Sequence, residues 1–189
     1  MIEITIQNIV ASTIFAEKLD LDIIAQSLEE AEYEPEQFPG LIYRLKDPKT
    51  ATLLFRSGKA NCTGAKNIED VRKTINIIAG RLRKIDIKDV YENKDLKITV
   101  QNMVATANLE GELNLNEVAM GLGLDNIEYE PEQFPGLVYR IKEPKVVMLI
   151  FSSGKIVCTG GRKTEDVSIV VEKLSKELTS LGLLHWTPY

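Results

Sequence analysis

The chain has 189 residues, 44% apolar and 27% charged, with a net charge of −5, which is the make-up of a folded globular protein and too acidic overall for a nonspecific polyanion binder. Its longest uninterrupted apolar stretches fall far short of the roughly 20 residues that a bilayer crossing needs, and two cysteines with one histidine exclude a disulfide scaffold and a zinc site of familiar spacing. The alternating start Met1-Ile2-Glu3-Ile4-Thr5-Ile6 lacks the basic and apolar blocks of a signal peptide, so the expectation is a cytoplasmic protein.

In chain order, residues 2–12 are β-prone with apolar residues on both parities, Ile4, Ile6 and Val10 against Ile9 and Ala11. That predicts a strand with two apolar faces. Residues 20–32 predict a helix with Leu21, Ile24, Ala25 and Leu28 on one side. Three β-prone runs follow at 41–46, 50–56 and 59–64, divided by Asp47-Pro48-Lys49 and Ser57-Gly58, the pattern of an antiparallel meander. Ile68, Val71, Ile75, Ile78, Leu82 and Ile85 then step by three and four, which predicts an amphipathic helix over 67–85. Its polar face carries Arg72, Lys73, Arg81, Arg83 and Lys84, ordinarily a solvated face.

From residue 96 the same series begins again. Tyr33-Glu34-Pro35-Glu36-Gln37-Phe38-Pro39-Gly40-Leu41 recurs unchanged as Tyr129-Glu130-Pro131-Glu132-Gln133-Phe134-Pro135-Gly136-Leu137, and residues 33–64 match 129–160 at 22 of 32 positions. Gln7-Asn8-Ile9-Val10-Ala11 returns as Gln101-Asn102-Met103-Val104-Ala105, two residues closer, so two residues enter near 121–125. The second copy has its own helices at 114–122 and over Val167, Val170, Val171, Leu174, Leu178 and Leu181. Residues 1–94 and 95–189 are therefore one unit written twice. Two long copies suggest a pseudo-twofold molecule and not a solenoid, whose units run about 20 to 50 residues. Two helices per half cover one face of an antiparallel sheet and leave the other apolar and open, the mark of a binding surface.

If the chain reverses about Pro48, Phe55 falls opposite Leu41 and close to Phe38, and the turn at Glu143-Pro144-Lys145 does the same for Phe134 and Phe151. Strand parity puts Leu53 with Phe55 on one face and Thr52 with Leu54 on the other. Asn61 and Thr63 share a face opposite Cys62. Cys62 and Cys158 hold the same position in each copy and are expected to be small buried residues. The paired Glu34, Glu36 and Glu130, Glu132 have no nucleophile or further ligand nearby in sequence, so they point to a solvated turn and not to catalysis; the protein is not expected to be an enzyme or to carry a metal or cofactor. His185 and Trp186 carry no readable role.

The motifs Gln-Asn-Ile/Met-Val-Ala, Tyr-Glu-Pro-Glu-Gln-Phe-Pro-Gly-Leu, Leu-Leu/Ile-Phe-x-Ser-Gly-Lys and Cys-Thr-Gly resemble the TATA-binding proteins of the archaeal type, over essentially the whole chain. The resemblance implies an α+β saddle of two β-α-β4-α repeats, a curved ten-stranded antiparallel sheet with four helices on its convex side and promoter DNA under the concave face. It further implies the minor-groove wedge mechanism for which this family is a standing example, with Phe38, Phe55, Phe134 and Phe151 entering the two ends of an A·T-rich element. Asn8 and Asn102 would hydrogen-bond minor-groove acceptors at the centre, beside Thr63 and Thr159, while Val10, Val104, Leu53, Leu149 and Val157 pack on base edges. Arg44, Ser57, Lys59, Arg140, Ser153 and Lys155 correspond to phosphate contacts.

The acidic turn of the second copy, Glu130, Glu132 and Gln133, would dock transcription factor B, which brings RNA polymerase. The family's place is the cytoplasm, at the nucleoid, and the apolar face is a candidate surface for a homodimer when DNA is absent. One position departs from the family: Asn61 stands where the second copy has Val157. The first copy also carries Arg56 against Ser152, and the two halves hold 14 basic and 15 acidic residues against 9 and 13, so unequal grip is expected. A rival reading reuses this fold as a small-molecule or nuclease-associated module. It needs a closed pocket or acidic residues on the open face, where the sequence places phenylalanine, valine, leucine, asparagine and threonine.

Overall fold

The computed structural model describes residues 1–91 and 96–186. The backbone divides into two compact units, Asn8–Gln101 and a second made of Met1–Gln7 with Asn102 onward. The 94/95 boundary between the expected repeats and the tail Thr187-Pro188-Tyr189 lie outside the described residues.

The first unit holds β1 (Ile4–Ile14) from Asn8 on, α1 (Leu21–Ser27), β2 (Ala31–Glu32), β3 (Leu41–Lys46), β4 (Lys49–Leu54), β5 (Lys59–Ala65) and α2 (Ile68–Lys84). Helix α2 starts where Asn67 accepts the Asp70 N–H at 2.8 Å. Acidic residues in its first turn and Arg81, Arg83 and Lys84 in its last oppose the helix dipole in the favourable sense. It buries Val71, Ile75, Ile78 and Leu82, the stripe that periodicity predicts.

Helix α1 is shorter than the expected 20–32. Asp20 caps it, the chain turns extended at Leu28, and Ala31 and Glu32 pair with Tyr43 and Ile42 as an edge strand. Pairing with the next strand in the chain here overrides local helix propensity. The hairpin register also differs by one from the expectation. Leu41 pairs with Leu54 and Lys46 with Lys49, so Asp47-Pro48 alone makes the turn and Phe55 does not face Leu41. The observed register aligns buried Leu41 with buried Leu54 and Leu54 with buried Ala60. A one-residue slip would have set Leu41 beside the half-exposed Phe55 and mixed the two faces.

The second unit repeats the plan with β6 (Thr99–Asn108) from Asn102 on, β7 (Gly111–Leu113), α3 (Leu115–Leu122), a 3-10 turn at Leu124–Asn126, β8 (Ile127–Glu128), β9 (Leu137–Ile141), β10 (Val146–Ile150), β11 (Lys155–Gly161), α4 (Thr164–Ser180) and β12 (Leu184–Trp186). Leu137 pairs with Ile150, the register of the first unit. Of the two extra residues, one lengthens the helix, 8 residues in α3 against 7 in α1, and the other the passage into β8. Strand β12 pairs with β7, Leu184 with Leu113 and His185 with Glu112, which gives the terminal segment a structural place that the sequence does not disclose. At the matching place in the first unit there is a single bridge, Ala16 to Val90.

Ten of the strands follow the hydrogen-bonded order β2-β3-β4-β5-β1-β6-β11-β10-β9-β8, antiparallel at every described pairing. With four helices this is the β-α-β4-α plan, twice. No helix among the described residues is long and apolar enough to cross a membrane.

Candidate nucleic-acid interface

In each unit the helices bury alternate strand residues, and the residues between them form a half-exposed, mostly apolar face. Cross-strand register arranges that face in rows. In the first unit Ile42 lies opposite Leu53, Leu53 opposite Asn61 and Asn61 opposite Ser12. In the second, Val138 lies opposite Leu149, Leu149 opposite Val157 and Val157 opposite Thr106. Ile42 and Val138 belong to this face and were missed from sequence, although the parity that selects Leu53 selects Ile42 through its register. Asn61 is less isolated than it looked, because its cross-strand neighbour is Ser12, whose hydroxyl accepts from Gln101 at 2.8 Å.

At the end of each hairpin two phenylalanines meet edge to face. Phe38 and Phe55 have ring centroids 6.1 Å apart at 68°, and Phe134 and Phe151 are 5.9 Å apart at 70°, within the favoured range for aromatic pairs. Phe38 and Phe134 are both 41% exposed, an unusual cost for so large an apolar ring. The backbone holds them there: the Glu34 carbonyl accepts from the N–H groups of Gln37 and Phe38, and the Glu130 carbonyl from those of Gln133 and Phe134. Gly40 and Gly136 make the approach feasible. A Cβ at either would stand 2.7 Å from one ring and 3.0 Å from the other.

Asn8 and Asn102 are held in the same way at their core, and the Asn102 oxygen also accepts from the Met103 N–H at 2.9 Å. The Asn8 amide oxygen accepts the Gly64 N–H at 2.7 Å while its nitrogen donates to Thr63 Oγ1 at 3.2 Å. The Asn102 oxygen accepts from Gly160 at 2.7 Å, and its nitrogen donates to Thr159 Oγ1 at 3.3 Å. Gly64 and Gly160 sit at irregularities of β1–β5 pairing and β6–β11 pairing with φ of 100° and 97°, a conformation that favours glycine. The glycine N–H can only meet an oxygen, so it fixes which way round each amide lies. That leaves each asparagine a second N–H, and Thr63 its hydroxyl proton, free to donate; the Thr159 hydroxyl also reaches the Asn102 oxygen at 3.5 Å. The centre of each face is a small set of donors on an apolar floor, flanked by Val10 or Val104.

Arg44, Ser57, Lys59, Arg140, Ser153 and Lys155 are all exposed. Arg44 lies 3.7 Å from Glu32 and Arg140 3.7 Å from Glu128, long exposed pairs that hold a guanidinium weakly. Arg56 is different: it donates to Asp22 at 2.9 Å and to the Tyr33 hydroxyl at 3.0 Å, bonds that raise its pKa. The extra first-half charge is thus already engaged within the protein. The three arginines on the basic face of α2 are engaged too. Arg72 donates to the Leu96 carbonyl, Arg83 to the Tyr91 carbonyl, and Arg81 to Glu30 and the Tyr43 hydroxyl.

Both thiols are buried. Burial pushes Cys158 up to about 12 and also raises Cys62, where the Thr52 and Thr74 hydroxyls offset part of the effect, so neither is a thiolate near neutral pH. Among the described residues no group of three acidic, histidine or cysteine side chains could hold a metal ion. Glu130, Glu132 and Gln133 are exposed, as are Glu34, Glu36 and Gln37.

The family model described as transcription factor TFIID, or TATA-binding protein, matches residues 3–85 and 97–181. The chain is 62% identical over 184 residues to a TATA-box-binding protein of Picrophilus torridus, covering 97% of this chain and 98% of that one. It is also 62% identical over 182 residues to a TATA-box-binding protein of Thermoplasma volcanium, covering 96% and 97%. Among solved structures it resembles Methanococcus jannaschii TBP with a TM-score of 0.87 and 52% identity, over 94% of this chain and 99% of that one.

Proposed function

The chain belongs to the TATA-binding protein family, and on that premise we propose that it is a basal transcription initiation factor that binds A·T-rich TATA elements in the minor groove through its open sheet face. The observation that carries this is the pair of asparagine amides, each oriented by a glycine N–H so that its remaining donor faces outward from an apolar floor. The A·T minor groove presents acceptors alone, whereas G·C adds the guanine amino donor. A floor of Val10, Val104, Ile42, Leu53, Val138, Leu149 and Val157 gives that amino group nothing to bond and leaves it desolvated, a cost that discriminates against G·C.

Phe38 with Phe55, and Phe134 with Phe151, act as the wedges. Their exposed rings are buried once a base step opens, which offsets the unstacking. Thr63 and Thr159 donate beside the asparagines, and Arg44, Ser57, Lys59, Arg140, Ser153 and Lys155 meet phosphates along the rim. Residues 1–94 and 95–189 serve as the two DNA-gripping repeats. The turn at Glu130, Glu132 and Gln133 receives transcription factor B, and through it RNA polymerase; the setting is the cytoplasm of an archaeal-type cell, at the nucleoid.

The test is binding to A·T-rich and G·C-rich duplexes across salt, with bending followed by fluorescence transfer. The expected result is tight, bending binding to the A·T-rich duplex, with a log–log salt slope well below the value of about 10 known for lac repressor and a negative heat-capacity change from apolar burial. Equal affinity for both duplexes without bending overturns the reading.

A further inference from the structure

The two repeats differ in one place beside the acidic turn. In the second unit a cleft of about 420 Å³ is lined by Asn116, Ala119, Met120, Leu124, Ile127, Glu128, Tyr129 and Glu130. Met120 and Leu124, side by side on the cleft wall, are each 72% exposed, an adjacent pair of large apolar side chains open to a partner. In the first repeat Asp22 and Tyr33 stand where the second has Asn116 and Tyr129, and Gln26 stands where it has Met120. Asp22 and Tyr33 are the two side chains that Arg56 binds, with its guanidinium 5.9 Å from the centre of the Tyr33 ring. The residue matching Arg56 is Ser152, too short to reach across. The first repeat therefore fills with its own arginine a site that the second leaves open.

We propose that the cleft of the second repeat receives an arginine side chain, flanked by apolar residues, from the protein partner that docks on the acidic turn. The first repeat supplies the template for the contact: a guanidinium over a tyrosine ring, hydrogen-bonded to the side chain at the α1 position. Glu128 and Glu130 on the cleft wall favour a cation. Met120 and Leu124 give the flanking apolar side chains a surface to cover, and such mixed anchors concentrate binding energy. The same difference explains how two turns of identical sequence can be told apart: the first is closed by Arg56, and the second is open. This rests on the reading that transcription factor B docks at Glu130 and Glu132.

The test closes the second cleft from within. The double variant Asn116→Asp with Ser152→Arg copies the first repeat, and Met120→Gln with Leu124→Asp removes the apolar wall without adding a plug. Each is measured for thermal stability, for TATA-duplex affinity and for affinity of the DNA-bound protein for factor B. Both variants are expected to keep DNA affinity within about twofold and to weaken factor B by about tenfold or more. A photo-crosslinker at Met120 is expected to capture an arginine-containing peptide of factor B, and one at Gln26 none. If Glu130→Arg with Glu132→Arg blocks factor B while both cleft variants bind it normally, the cleft proposal is wrong and the docking turn stands. Should none of these changes affect factor B, both fall.

Discussion

The two repeats agree closely at the asparagine and phenylalanine sites of the open face, and they differ at several positions in the packing behind the sheet. The asparagine, threonine and glycine constellation has the same distances in both to within 0.1 Å, and the phenylalanine pairs nearly the same angle. Behind the sheet the first unit buries Thr50, Thr52 and Thr74 where the second has Val146, Met148 and Val170. Helix α2 has a side-chain N-cap and a basic last turn; α4 has neither. Arg72 and Arg83 hold the backbone that leads from the first repeat into the second, and Ser168 and Thr179 occupy the matching positions in the second repeat. On the proposed function the open face meets two similar halves of one ligand and admits little change at those sites, whereas the packing behind it needs only volume and apolar area.

The hardest test of the shared face is to replace both Asn8 and Asn102 with Asp. Each carboxylate would still accept from its glycine but would turn an acceptor towards groove acceptors. At about 1–3 kcal/mol per lost contact the double variant is expected to lose about a hundredfold or more in TATA affinity by titration. Equal losses from the two single variants would confirm the equivalence of the halves, and retained affinity would remove both residues from the site.

Charge reversal at the turns breaks the symmetry. Glu130→Arg with Glu132→Arg is expected to weaken factor B assembly by about tenfold or more, roughly 1.4 kcal/mol, with DNA binding intact. The same changes at Glu34 and Glu36 should have no effect in a gel-shift assay. If the first-repeat pair proves equally necessary, docking at the second repeat alone is excluded.

Phe134→Ala with Phe151→Ala should reduce bending more than initial contact, because wedge burial begins only when a step opens, and unstacking costs a few kcal/mol per step. Fluorescence transfer would then fall while a fast association phase remains. The first-repeat pair Phe38→Ala with Phe55→Ala should do the same at the other end, and parallel loss of bent and unbent complexes would count against wedge roles.

The smallest effect concerns the backing. Thr52 Oγ1 is buried and has no partner at full hydrogen-bonding geometry, its polar neighbour being the weakly interacting Cys62 thiol. Thr52→Val keeps its shape and removes the orphan, so it should stabilise the protein by about 1–2 kcal/mol, a few degrees in Tm at this size, with DNA affinity unchanged. A lower Tm would mean that the hydroxyl has a partner.

Much of this was legible in the residues. The repeat could be counted directly, α2 followed from its apolar stripe, and parity alone put Leu53, Phe55, Asn61 and Thr63 on one face with Cys62 on the other. Those features rest on periodicities of 3.6 and 2, which are properties of the local chain. What the tertiary structure decided depends on partners remote in sequence. The register of Leu41 with Leu54, the early end of α1 and the β7–β12 pairing were set by which buried side chains had to meet. The amide orientation of Asn8 was set by a glycine 56 residues away, and the engagement of Arg56 by Asp22, 34 residues before it. Sequence fixes what each residue can donate, accept or bury; only the folded chain determines which groups are already satisfied and which remain available to a ligand.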